Sequence, residues 1–178
     1  EAGRGLPPAP YAFVLFGSGG RREQTLWSDQ DNGLLCGDGI GDNEGYFAAF
    51  GETIVANLQL VGYMPCDGRV LCGNPSWRRS VSVWESQLDE WFDDPQWEHV
   101  RYLLMIADMR CLYGDLRLVE RLQKGYAERV SSRPHILRHM LSNTLHHKAA
   151  LNAFGQVLKE RYGEEAGGVE IKYGAYIP

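Results

Sequence analysis

No run of apolar residues in this chain approaches the roughly 18 needed to span a bilayer, so no membrane-spanning helix is expected. Positive charge is also scarce. The 18 Lys and Arg are outnumbered by 23 Asp and Glu, for a formal net charge of −5. A domain that held nucleic acid mainly through phosphate contacts would be basic, so nucleic acid is not an expected partner. Local basic patches remain around Arg21 and Arg22 and around Arg78 and Arg79. Cysteine is sparse and badly spaced for a metal. Cys36, Cys66, Cys72 and Cys111 form no C-x-x-C pair and have no His close by in sequence. A zinc site is therefore not expected, and reduced thiols of a cytoplasmic protein are.

The N-terminal stretch EAGRGLPPAP lacks Met and a charged-then-apolar leader pattern. Residues 1–10 read as a linker and the chain as a fragment of a longer protein. The other end, VEIKYGAYIP, stops on a strand-like segment with no closing element, which again suggests truncation.

What is present is enough for a real core. Of 178 residues, 44% are hydrophobic, which excludes a disordered chain. YAFVLF (11–16) is a short run of aromatic and β-branched residues and reads as a buried strand. Gly17, Gly19 and Gly20 end it and open a turn. RREQTLW (21–27) reads as one or two helical turns, and DNGLLC (31–36) as a second strand. Phe47, Phe50, Ile54, Leu58 and Val61 recur at three and four, which predicts a helix over 43–61. RVLCG (69–73) is a candidate strand and NPSWRRS (74–80) a loop. After residue 80 the apolar spacing is helical throughout. Val83, Leu88, Trp91 and Phe92 form one stripe, Val100, Leu103, Leu104 and Ala107 the next. Gly114 breaks the pattern, then Leu116, Val119, Leu122 and Tyr126 resume it. A last helix is expected from 134 to about 154. The expected fold is α+β: a mixed sheet with flanking helices over 11–80, followed by a helical bundle over 81–178.

Residues 16–35, FGSGGRREQTLWSDQDNGLL, carry the chemistry. A strand running into a Gly-rich turn aims backbone N–H groups at an anion. Glycine lets a phosphate approach the backbone, the Ser18 hydroxyl adds a donor, and Arg21 offers a planar fork. The turn is not G-x-x-x-x-G-K-[ST], since no Lys follows, nor G-x-G-x-x-G, since Arg22 fills the third glycine position. By itself it is only a turn. Asp29 and Asp31 change the weighing. In extended backbone, residues i and i+2 share a face, so the two carboxylates converge while Gln30 points away. Like charges so close repel unless a cation lies between them, and oxygen ligands at this spacing suit Mg²⁺ held together with substrate phosphates. An EF-hand is excluded, because Leu34 stands where the loop requires glycine.

A strand ending in Gly-Ser, about ten intervening residues and Asp-x-Asp opening the next strand resemble the DNA-polymerase-β-type nucleotidyltransferase motif. The fuller string Gly17-Ser18, Gly20-Arg21, Glu23-Gln24-Thr25 and Asp29-Gln30-Asp31-Asn32 is similar to the nucleotidyltransferase family related to the N-terminal domain of PII-protein uridylyltransferase. GYMPCDGRVLCGNPSWRRSVSVW (62–84), ADMRCLYGDLRLVERL (107–122) and VEIKYGAYIP (169–178) extend the resemblance along the chain. It implies a polymerase-β-like core and a helical substrate-binding region. It implies Mg²⁺ on Asp29 and Asp31, and a nucleoside triphosphate whose phosphates rest on Gly17, Ser18 and Arg21. The acceptor would be a hydroxyl, on a regulatory protein in the PII-uridylyltransferase pattern, and the upstream partners sensor domains such as CBS domains. Active members of the wider class use a third carboxylate, and Asp67, just before RVLCG, is the candidate. Without a third acid, the domain would bind nucleotide as a regulatory module and not turn it over. A purely structural interaction domain is the third reading.

Other residues read as structural. Trp77, Trp84 and Trp91 recur every seven and fit a core stripe better than a base-stacking platform. His139, His146 and His147 fit a helix surface. Asp108 and Arg110 fit a structural ion pair or cap, with a place facing the cleft as the alternative. Asp38, in the loop after the paired acids, reads as solvated. Lys172 and Tyr173 have no spacing that assigns them.

Overall fold

The computed structural model describes residues 5–25 and 28–145. The chain divides into two compact units, Glu1–Met140 and Leu141–Pro178, and apart from the end of the last described helix everything below concerns the first.

The aromatic run forms β1 (Tyr11–Leu15), at the centre of a four-stranded sheet. After it come α1 (Gly17–Arg21), β2 (Asn32–Cys36), α2 (Glu44–Leu60), β3 (Arg78–Ser80) and α3 (Val81–Asp93). The chain continues through α4 (Trp97–Ala107), β4 (Arg110–Gly114), α5 (Leu116–Ser132) and α6 (His135–Leu145). The strand order is β3-β2-β1-β4. β1 runs antiparallel to β2 and β4, and β2 runs parallel to β3. A parallel pair needs a crossover, and α2 supplies it.

The period of two along β1 divides the core. Tyr11 and Phe13 point to one face, with Leu34, Cys36, and Phe47 and Phe50 of α2. Ala12 and Val14 point to the other, against α3 to α6 through Trp84, Leu88, Phe92, Leu103, Leu122 and Ile136. The sheet is thus covered on both sides, as an α+β fold requires. Trp77, Trp84 and Trp91 are buried as a core stripe, Trp77 lying 5.6 Å from Trp84 and 6.0 Å from Trp91 between ring centroids. Fully burying side chains of this size stabilises by about 1.5–3 kcal/mol or more each. Among the described residues, no helix is long and apolar enough to cross a membrane.

Five local expectations are corrected. RVLCG (69–73) is not a strand. Arg69 takes a left-handed φ of 52°, the Leu71 N–H turns back to Arg69, and the segment bends. The neighbouring strand is instead β3, inside the expected loop. Arg78 can be buried there because its guanidinium donates to the Cys72 and Gly73 carbonyls. The chain after residue 80 is not wholly helical, since β4 adds the outer strand beside β1. The short helix occupies Gly17–Arg21, ahead of the expected 21–27, and ends where Arg22 adopts φ 64°. The expected apolar positions Val61, Val83 and Leu116 are exposed, while the rest of their stripes face the core. Of the histidines, His139 is exposed and His146 and His147 lie outside the described residues, as do Lys172 and Tyr173.

Glycine in a helix is costly, and α1 exists because it is held from outside. Arg110 donates to the Gly20 carbonyl at 3.1 Å and the Gly19 carbonyl at 2.7 Å. A Cβ on Gly20 would stand 1.9 Å from the Asp108 carbonyl oxygen, so the backbones touch there. Gly20→Ala is therefore expected to destabilise the domain by about 1–3 kcal/mol, read as a lowered urea midpoint. An unchanged midpoint would contradict this contact.

Candidate functional site

The site is built where β1 and β2 separate. The ladder pairs Leu15 with Asn32, and one further bond, from the Phe16 N–H to the Asp31 carbonyl at 3.0 Å, extends it. Phe16 is fully buried against Trp77 and Trp84, which fixes both segments. Gly17 follows at φ 48°, and a Cβ on it would meet Asp31 Oδ2 at 3.6 Å. The Gly-Ser turn and the second aspartate are thus brought side by side. The first turn of α1 leaves the N–H groups of Gly17, Ser18 and Gly19 without partners inside the helix. Gly17 and Ser18 are half-buried beside the acids.

Asp29 is exposed and Asp31 half-buried, while Gln30 and Asn32 between and after them are buried. The alternation expected of extended backbone is therefore present. The Gln30 amide donates to the carbonyls of Tyr63 at 2.7 Å and Val55 at 3.1 Å. The Asn32 amide donates to Gln30 Oε1 at 3.3 Å, and its Oδ1 accepts from the Cys72 N–H at 2.8 Å. Buried polar groups satisfied in this way hold the acidic face rigid. This ladder escaped the sequence reading, although the polar pair alternating with the acids in D-Q-D-N is its signal.

The electrostatics are those of a site short of positive charge. Burial, and then the charge of Asp29, push the Asp31 carboxyl up to about 6. A hydrogen bond from the Cys66 thiol and the Arg101 guanidinium work the other way. Cys66 is itself pushed up to about 12 by burial and by Asp31, so it stays a protonated donor. Its sulfur accepts the Val70 N–H at 3.1 Å. All four cysteines are free thiols. Neither Cys66 nor Arg101 was singled out by spacing, because their approach to Asp31 is made by the fold.

Asp67 is exposed on the turn closed by the Arg69 N–H and the Cys66 carbonyl. The chain on either side of that turn is tied to the acidic segment, by Gln30 N–H to Met64 O and Asn32 N–H to Val70 O. Among the described residues, no group of three or more His, Cys, Asp or Glu side chains is gathered to hold a metal. A cavity of about 650 Å³ borders the turn, lined among others by Cys66, Asp67, Arg69 and Asn74, but by neither Asp29 nor Asp31. Arg21 is ion-paired with Glu23 at 2.8 Å and with Asp108. Asp108 and Arg110 thus act as ion pair and cap on α1. Asp38 is not merely solvated, since it accepts from Ser82 N–H at 2.9 Å and pairs with Arg121 at 2.5 Å.

The raised Asp31 carboxyl has a thermodynamic consequence. Its protonated form is favoured by the fold, so its stabilising effect is complete at pH values below its unfolded value near 4. That effect is lost as pH rises through about 6. In metal-free buffer, Asp31→Asn is expected to be more stable than the parent at pH 7.5 by about 1–3 kcal/mol, and equal to it near pH 4. Thermal unfolding across that range checks this; a variant less stable than the parent at pH 7.5 would contradict it.

The family model described as "Putative nucleotidyltransferase DUF294" matches residues 1–98. No curated protein matches the chain, and no solved structure does. The matched stretch contains Gly17, Ser18, Arg21, Asp29, Asp31 and Asp67, and it covers more than half of the chain. The chain carries a nucleotidyltransferase-like domain and belongs to this DUF294 family.

Proposed function

We propose that this domain binds a nucleoside triphosphate with Mg²⁺ and transfers the nucleotidyl group to a hydroxyl acceptor. The observation that carries the reading is the convergence of two aspartates and a Gly-Ser turn, with Gly17 3.6 Å, measured from its Cβ position, from Asp31 Oδ2. The donor set fits the metal. Two carboxylates on one face, one of them resisting ionisation, are oxygen ligands in need of a divalent cation.

Bound Mg²⁺ would supply charge neutralisation on the phosphates and a lowered barrier to hydroxyl attack. Asp29 and Asp31 would hold it. Gly17 and Ser18 receive the phosphate chain on their N–H groups and the Ser18 hydroxyl. Arg21, anchored to Asp108 and Glu23, would add a phosphate contact by leaving Asp108. The acceptor oxygen forms a bond to the α-phosphorus as the bond to the β-phosphate oxygen breaks. Pyrophosphate departs, and the hydroxyl proton passes to Asp67 on the neighbouring turn. We propose a side chain of a regulatory protein as the acceptor and upstream sensor domains of the CBS kind as the source of control.

A second reading has its own support. No third acid is gathered with Asp29 and Asp31 among the described residues, which favours a regulatory module that binds nucleotide without turnover. Calorimetry with ATP and UTP separates the readings. Nucleotide binding is expected to need Mg²⁺ and to weaken at least about tenfold in Asp29→Asn and Asp31→Asn. Binding that ignores both Mg²⁺ and these substitutions would overturn the proposal. Pyrophosphate release that falls about 100-fold or more in Asp67→Asn supports transfer, whereas binding without release supports the regulatory module.

A further inference from the structure

Most guanidinium groups near the site have protein partners. Arg21 pairs with Glu23 and Asp108, Arg110 donates to the Gly19 and Gly20 carbonyls, and Arg78 to those of Cys72 and Gly73. Arg101 on α4 differs. Its Cζ lies 5.6 Å from the Trp97 ring centroid and 5.5 Å from that of Tyr102, so two aromatic faces hold the fork. Its Nη2 lies 3.2 Å from the point where a Cβ on Gly68 would stand, which sets it against the turn that carries Cys66 and Asp67. It is near enough to Asp31 to ease that carboxylate's charge, yet it makes no ion pair among the described residues. Its Nε is buried and has no hydrogen-bond partner there. The Tyr102 hydroxyl donates to Glu98 at 2.6 Å and also meets the Arg101 guanidinium, a neutral partner that leaves its charge unpaired.

A fork held against two rings, near Asp31 and without a carboxylate of its own, is suited to a multiply charged phosphate chain. We infer that Arg101 receives the phosphate chain of the nucleotide at this site, with Trp97 and Tyr102 orienting its guanidinium. This rests on the proposed nucleotide site and deepens it. It names a ligand outside the stretch matched by the family model, which ends at residue 98. It also gives Gly68 a reason, because a side chain there would press on the guanidinium.

The test uses inorganic tripolyphosphate without Mg²⁺, which isolates the phosphate contact from the base and the cation. Calorimetry on the full chain is expected to show binding that weakens about tenfold or more in Arg101→Gln and in Arg101→Met, the latter keeping the apolar stem between the rings. Circular dichroism melts identify the folded variants. Affinity unchanged in either folded variant, or no binding by the parent, overturns the inference. Displacement of tripolyphosphate by ATP or UTP is expected. Arg101-dependent tripolyphosphate binding that neither nucleotide displaces would uphold the anion site and overturn the nucleotide reading instead.

Discussion

The antiparallel pairing of β1 with β2 is the constraint on which the site depends. It aligns Leu15 with Asn32, and the bond from Phe16 N–H to Asp31 O carries the register one step past the ladder. Because strand side chains alternate, this one register decides which acids face the glycine turn. A slip of one residue would turn Gln30 and Asn32 toward Gly17 and bury both aspartates under α2. The register is in turn held from both faces, by Phe16 among the tryptophans and by Gln30 and Asn32 in their buried amide ladder.

The same geometry sets an unfavourable charge arrangement. Asp31 is drawn out of water beside Asp29, and its carboxyl titrates near 6 in consequence. A fold optimised for stability alone would not keep two carboxylates so placed. The nearby cationic groups ease this charge without pairing with it. Arg21 is engaged with Asp108, and Arg101 rests against Trp97 and Tyr102. The domain therefore holds a negative pair and a separate guanidinium that no carboxylate claims. The metal–phosphate ligand we propose would complement both, since the acids offer oxygen ligands for a cation and Arg101 a fork for an anion.

The sequence revealed what periodicity encodes and missed what contacts impose. β1 and β2 were legible as short apolar runs, and the helices from α2 to α5 because their apolar residues recur at three and four. So was the D-x-D geometry, which follows from strand alternation alone. β3 was not legible, since Arg-Arg-Ser has no apolar rhythm and is strand only because β2 lies beside it and Arg78 finds buried carbonyls. β4 was hidden because it is an outer strand with Leu112 and Tyr113 exposed, which mimics the frayed end of a helix. α1 defies glycine's propensity and is held by Arg110 and the backbone contact with Asp108. Cys66 and Arg101 reach Asp31 only through tertiary folding, from 35 and 70 residues away along the chain.

The central claim is that one metal–nucleotide ligand lies between the Gly-Ser turn and the paired aspartates. Amide spectra of the ¹⁵N-labelled chain, recorded with nucleotide and substoichiometric Mn²⁺ in place of Mg²⁺, test it most directly. The account predicts paramagnetic broadening centred on Gly17, Ser18, Asp29 to Asn32 and Cys66, abolished by Asp31→Asn. Broadening centred elsewhere, or unaffected by that substitution, would contradict it.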